Sequence, residues 1–180
     1  MLNKMTTDLE IHDFLYESNL IENENSDIAY ADAILAWKYV MSIDILSEKD
    51  ILKIHELSMK NIRPDIAGNY RTCNVYIGGQ LKVYRGLEFI KSQISDFINL
   101  MTSSYKLETI EEKEMACKKA HVLFENQHPF EDGNGRVGRI IYNWHRLKLG
   151  RPLHIIHVGE EQQAYMMWFS NNINNGKDTE

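Results

Sequence analysis

Twelve consecutive residues dictate that a loop turns into a helix: His128-Pro129-Phe130-Glu131-Asp132-Gly133-Asn134-Gly135-Arg136-Val137-Gly138-Arg139. Beyond them, Val137, Ile140, Ile141, Trp144 and Leu147 fall at i, i+3, i+4, i+7 and i+10, which is one apolar helical face. Gly150 and Pro152 supply the stop. Gly133-Asn134-Gly135 therefore sits at a helix N-terminus. Free backbone N–H groups and the positive end of the macrodipole meet there and form an anion site. Arg136 and Arg139 lie three apart on neighbouring faces of the first turns and can add charge-assisted bonds to phosphate oxygens. Asp132 is a hard oxygen ligand suited to Mg²⁺ shared with a phosphate. His128 is the only side chain in the stretch whose ordinary pKa suits proton abstraction near neutral pH. The stretch thus combines a base, a metal ligand and a polyphosphate cradle.

The same stretch resembles the Fic signature, H-P-F-x-[D/E]-G-N-[G/K]-R-x-x-R, at every fixed position. The resemblance implies transfer of a nucleotide monophosphate, usually AMP from ATP, onto a Ser, Thr or Tyr hydroxyl of a target protein or of the protein itself. It implies His128 as the base, Phe130 as the anchor of the loop in the core, and Asp132 as the holder of Mg²⁺, with Mn²⁺ as an alternative. Gly133, Asn134 and Gly135 would bind the α-phosphate side, Arg136 the β-phosphate and Arg139 the γ-phosphate. Gly135 matches the nucleotidyl-transfer form of the motif, whereas the doc-type phosphotransferases carry Lys there. Transfer of another nucleotide or phosphate-containing group, or removal of AMP, would use similar chemistry and stays open. A nucleotide-binding module without turnover is a further alternative, against which the intact His128 and Asp132 argue.

The 180 residues are 43% hydrophobic, enough for one domain with a sizeable core. Only three prolines and long helical periodicity predict a mainly α protein, and the resemblance implies a Fic-type helical bundle with a small β-hairpin flap. The net charge of -6, without a long basic run, argues against nucleic acid as the main partner. No apolar run approaches the ~18–20 residues that a membrane-spanning helix needs, so no membrane association is expected. Cys73 and Cys117 stand far apart in a chain with no secretory leader, which predicts free thiols and a cytoplasmic location. Oligomer formation stays open.

Thr7-Asp8-Leu9-Glu10 reads as a capping box. Ile11, Phe14, Leu15, Ser18 and Glu22 then share one helical face. From spacing alone, Glu22 reads as a solvated carboxylate at a helix end or as an inward charge that needs a cation. Ser18-Asn19-Leu20-Ile21-Glu22-Asn23 resembles the Fic inhibitory motif, [S/T]-x-x-x-E-[G/N]. That resemblance implies an inhibitory helix over residues 7–24, with Glu22 paired to Arg139 and obstructing the γ-phosphate. Ser170 is followed four residues later by Asn174, so a C-terminal version of the motif is not supported.

A helix over roughly 27–42 has Ile28, Ala31, Ile34, Leu35, Trp37, Val40 and Met41, which leaves little polar face and predicts a central element. Ser47 to Asp50 opens a helix reaching about Ile62, in which His55 reads as a satisfied structural histidine. Residues 67–85 break this pattern. Cys73, Val75 and Ile77 alternate with polar positions, Gly78-Gly79 turns the chain, and Leu81 and Val83 alternate again, which predicts a β-hairpin. Its edge could accept a target segment as an added strand. Ala67-Gly68-Asn69-Tyr70-Arg71 resembles the family's approach to its target-holding flap, so Thr72, Val75, Ile77, Gly78 and Gly79 are the docking candidates, with Tyr70, Tyr76 and Tyr84 as self-modification candidates. Leu87, Ile90, Ile94, Phe97, Ile98 and Met101 make one core-facing stripe, and Ala116, Ala120, Leu123 and Phe124 another. His121, His154 and His157 read as bystanders. Residues 159–174 form a last helix, where the resemblance implies Tyr165 near the base of the nucleotide. The 175–180 tail is expected to be flexible.

Overall fold

The computed structural model describes residues 6–77 and 79–173; Gly78, the Ser170 side chain, Asn174 and the 175–180 tail lie outside the described residues. The protein is mainly helical. In chain order come α1 (Asp8–Ile21), α2 (Asp27–Met41), α3 (Glu48–Met59), β1 (Val75–Ile77), β2 (Gln80–Lys82), α4 (Leu87–Ser104), α5 (Ile110–Gln127), α6 (Asn134–Lys148) and α7 (Glu160–Ile173).

Local sequence sets the helix starts. At α1 the Thr7 hydroxyl accepts from the Glu10 N–H at 3.1 Å, while the Glu10 carboxylate accepts from the Thr7 N–H at 2.8 Å. Ser47 with Asp50 closes the same reciprocal box on α3, and Thr109 with Glu112 on α5. Each box satisfies two N–H groups that a helix start otherwise leaves open, and losing such a cap costs about 1 kcal/mol.

The apolar face of α6 lies at the centre. Val137, Ile140, Ile141 and Trp144 are buried, and α6 touches α1, α2, α3 and α5. The α4 stripe of Ile90, Ile94, Phe97 and Met101 is buried against the same core, whereas Leu87, the first residue of that stripe, is exposed. The helix that opens at Gly133-Asn134-Gly135 and carries Arg136 and Arg139 is thus held from four sides, which fixes its N-terminus.

Three elements differ from the sequence expectation. On α2 the core face is Ala29, Ala33, Ala36, Trp37 and Val40, while Ile28, Leu35 and Met41 are exposed. Small side chains let α2 lie close to its neighbours, and the larger aliphatics are left outside. Buried Asp32 on the same face accepts from the Asn61 backbone at 3.1 Å and its amide at 2.7 Å, which also locks the turn after α3. Helix α3 ends at Met59 rather than near Ile62, because residues 60–62 turn and the Arg63 N–H reaches back to the Met59 carbonyl at 2.7 Å. The hairpin is shorter than 67–85: Val75 pairs with Lys82, Tyr76 with Leu81 and Ile77 with Gln80. Among the described residues, no helix is long and apolar enough to cross a membrane.

Candidate active site

The site is assembled where α5 stops and α6 starts. His128 caps α5 in the left-handed region, with φ 49°, and its N–H still reaches the Phe124 carbonyl. Its Nδ1 lies 3.2 Å from the Glu125 carbonyl. A carbonyl only accepts, so Nδ1 carries the hydrogen and Nε2 keeps its lone pair. Burial pulls the imidazole below its usual pKa of 6.5, outweighing the Glu125 carbonyl, with Arg71 and Lys82 acting in the same direction as burial. His128 is therefore mainly a neutral imidazole at pH 7, with Nε2 able to take up a proton.

Phe130 is fully buried and flanked by ring contacts from His55, Tyr70 and Phe124. Asn134 clamps the loop around it: its Oδ1 accepts from the Phe130 N–H at 2.9 Å, and its Nδ2 donates to the Phe130 carbonyl at 3.0 Å. Both ends of the Asn134 amide are thus engaged within the loop. What this residue turns toward an anion is its backbone N–H at the start of α6, ahead of the helix's first bond from Val137 to the Gly133 carbonyl at 3.1 Å.

The charged residues converge on that helix start. Asp132 is half-exposed, and its Oδ1 accepts from the Gly133 N–H at 2.6 Å and lies 3.5 Å from Arg136 Nη2. Arg136 is buried, yet its Nε and Nη1 have no hydrogen-bond partner among the described residues. Buried cationic donors without acceptors call for an anion. No three His, Cys, Asp or Glu side chains cluster as a metal cage among the described residues. A single carboxylate beside an open phosphate cradle instead suits Mg²⁺, which takes its other oxygens from phosphates and water.

Arg139 is already occupied. Its Nε donates to Ser18 Oγ at 2.9 Å, and its Nη2 donates to the Ser18 carbonyl at 2.9 Å and to Glu22 Oε1 at 2.6 Å. The guanidinium is 2% exposed. Ser18 and Glu22 come from α1 and from its C-cap, 121 and 117 residues away in sequence. Gly135 lies directly beneath this contact: a Cβ there would meet the ends of the Glu22 and Arg139 side chains, which would have to shift. Glu125 is a second, buried acid: its Oε1 has no hydrogen-bond partner among the described residues, and burial and Glu22 raise its pKa to about 8 against the pull of Arg139.

The approach to the hairpin is stitched to the motif loop by Arg71. Its backbone N–H donates to the Pro129 carbonyl at 3.0 Å, its Nε to the His128 carbonyl at 2.8 Å and its Nη1 to the Cys73 carbonyl at 2.8 Å. The Arg71 N–H and the Cys73 carbonyl are thus engaged away from the ladder, and strand pairing starts only at Val75. In the hairpin, Val75 is buried, Ile77 half-buried and Thr72 exposed, and Gly79 has φ 82°. A groove of about 700 Å³, lined by Tyr70, Thr72, Tyr84 and Glu131 among others, opens beside it. Arg71 and His55 are the two positions whose part in the site is not readable from spacing. Each acts through backbone atoms of a distant loop, and no periodicity reports that.

Tyr165 is buried behind Arg139. Its hydroxyl lies 2.8 Å from His121 Nε2, and it packs with Ile21, Ile156, Trp168 and Phe169. In this arrangement it faces the protein interior, so contact with a nucleotide base would require α7 to shift.

A model of the Fic/DOC family matches residues 45–145. Protein adenylyltransferase fic-1 of Caenorhabditis elegans is 34% identical over 122 residues, covering 68% of this chain and 23% of that protein. Protein adenylyltransferase Fic of Drosophila melanogaster is 32% identical over 149 residues, covering 79% and 29%. The chain therefore spans about a quarter of the length of these curated relatives. Among solved structures, Fic-1 from C. elegans superposes with a TM-score of 0.78 at 21% identity, covering 96% of this chain and 58% of that one. A Fic domain containing signaling protein from Bacteroides thetaiotaomicron gives 0.74 at 18% identity, covering 94% and 74%.

Proposed function

The chain belongs to the Fic/DOC family, and from that premise we infer that it is an autoinhibited protein adenylyltransferase that moves AMP from ATP to a hydroxyl of a target protein. The observation that carries this reading is the contrast between two arginines one helical turn apart. Arg136 has two buried donors without partners among the described residues, while Arg139 donates from Nε and Nη2 to Ser18 and Glu22.

In this reading the α6 N-terminus and Arg136 hold the α- and β-phosphates, and Arg139 is the γ-phosphate site that Glu22 occupies. Asp132 would hold Mg²⁺, which supplies neutralisation of the triphosphate charge when bound with ATP. A target segment lies along the hairpin, with its hydroxyl over His128. The hydroxyl oxygen forms a bond to the α-phosphorus, the bond from that phosphorus to the bridging oxygen breaks, and pyrophosphate leaves. His128 Nε2 takes the hydroxyl proton, and Nδ1 stays anchored on the Glu125 carbonyl. The barrier falls mainly through positioning and preorganised positive charge.

Intact-protein mass spectrometry after incubation with ATP and Mg²⁺, with and without cell lysate as a target source, tests the reading. The Glu22→Gly protein or its targets should gain AMP, the parent less, and His128→Ala none. Equal labelling of parent and Glu22→Gly would remove the inhibitory role of Glu22. Labelling by His128→Ala would remove the base.

A further inference from the structure

His55 has no part in the base, metal or phosphate roles above, yet it is wholly buried against Phe130 and the Asp132–Gly133 turn. Its ring lies flat on Phe130, with centroids 3.8 Å apart and planes within 1°. Both nitrogens are engaged. The Gly68 N–H donates to Nδ1 at 3.0 Å, so Nε2 carries the hydrogen and donates to the Asp132 carbonyl at 3.0 Å. That carbonyl shares one planar peptide with the Gly133 N–H, whose acceptor is the Asp132 carboxylate at 2.6 Å. Gly133 itself has φ 79°, and a Cβ there would come within 3.4 Å of the His55 ring and closer still to Met59. One face of the peptide unit is thus fixed by His55, and its other end fixes the carboxylate.

The geometry points to His55 as a positioning residue: by holding the Asp132–Gly133 peptide it aims the Asp132 carboxylate toward the metal and triphosphate, and through Gly68 it ties that aim to the approach of the hairpin. The inference rests on the proposed role of Asp132 as metal ligand. A histidine kept only to fill space beside Phe130 would need neither backbone bond, and phenylalanine would serve as well.

Calorimetric titration of ATP into the full chain carrying Glu22→Gly, in Mg²⁺ and again in EDTA, separates these cases. Adding His55→Phe should cut the Mg²⁺-dependent gain in ATP affinity by on the order of tenfold, the usual effect of removing an outer partner of a metal ligand, and leave the EDTA affinity within about twofold. In an Asp132→Ala background, His55→Phe should have no further effect on that gain. His55→Gln, whose amide can still donate to the Asp132 carbonyl, should keep part of it. If His55→Phe does not fold, His55→Gln carries the comparison with the same criterion, a reduced Mg²⁺ gain at constant EDTA affinity. An unchanged gain, or an equal loss in Mg²⁺ and EDTA, overturns the inference alone. A gain that is absent from the outset, or that Asp132→Ala leaves intact, overturns the metal-ligand reading beneath it.

Discussion

Arg139 carries two competing demands on one guanidinium. A γ-phosphate and the Glu22 carboxylate cannot both occupy Nη2, and Ser18 already takes Nε and shares Nη2. The paired Glu22 carboxylate keeps Arg139 protonated despite burial, so its charge is constant and only its partner changes. Charge-assisted bonds are worth about 1.5–3 kcal/mol each, so freeing the site should raise ATP affinity at least about tenfold. ADP lacks the γ-phosphate, so Glu22→Gly should leave its affinity nearly unchanged. Calorimetry with both nucleotides decides this, and an equal gain for ATP and ADP would place Glu22 elsewhere in the reaction. His128 makes a second residue-level prediction. Its pKa lies below the usual 6.5 because of burial, so the pH–rate profile of Glu22→Gly should rise on the acid side and be flat by pH 7. A rate still climbing tenfold per unit above pH 7 would rule out His128 as the base.

The Glu22–Arg139 contact depends on how helix α1 is held. Ile21, at its last turn, is buried with Ile156 and Tyr165, and Glu17 accepts from the Val158 N–H at 3.0 Å with His157 at 3.4 Å. The connection before α7 and α7 itself thus clasp the end of α1 that presents Glu22. Ile21→Ala removes apolar contact worth about 2–5 kcal/mol in a core and should loosen that end. Hydrogen exchange of α1 amides should quicken, and transfer should rise toward the Glu22→Gly level; faster exchange without faster transfer would separate the clasp from inhibition. Where α5 meets α6, Gly138 makes a prediction that opposes helix propensity. Alanine ordinarily gains about 1 kcal/mol over glycine inside a helix, but a Cβ here would run into the Glu125 carboxyl and come 3.1 Å from the Phe124 ring. Gly138→Ala should lower stability by about 1–3 kcal/mol in urea titrations. These elements also mark what spacing could reveal. The caps of α1 and α3 and the stripes of α4 and α6 were legible because each is written in neighbouring residues. The buried alanine face of α2 was not, since close packing selects small side chains while hydrophobicity ranks the larger exposed ones first. His55 and Arg71 were not either, because their partners are backbone atoms 57 and more residues away in the motif loop.

Across the whole molecule, burial of ionisable groups sets a pH window. Burial pulls His55 and His145 to about 4 and His121 to about 3. Each binds a proton in the unfolded chain near 6.5 that the folded chain refuses, so their contribution to stability is full above that pH and is lost as pH falls. Glu125 works the other way. Its folded pKa of about 8 lies above the ordinary 4.5, so the folded protein keeps a proton that the unfolded chain has released, and its contribution to stability is lost as pH rises from 4.5 to about 8 and levels off beyond. Between pH 4.5 and 6.5 the three histidines outweigh the one carboxyl by about two protons, and the net loss on acidification should approach about 4 kcal/mol. His128 and His154, also lowered by burial, deepen it. Stability should therefore peak near neutrality, fall steeply toward pH 4.5 and decline gently by pH 8.5. Urea midpoints across that range measure the shape, and one substitution isolates the alkaline limb. Glutamine matches a protonated glutamate in shape and hydrogen-bonding capacity but cannot ionise, so Glu125→Gln should match the parent near pH 4.5, exceed it by about 2–3 kcal/mol at pH 6.5, where the parent's unfolded chain has already released this proton, and lack the parent's further decline toward pH 8. If the parent and Glu125→Gln decline together above pH 7, Glu125 is ionised in the folded protein, and Arg139 rather than burial governs its charge.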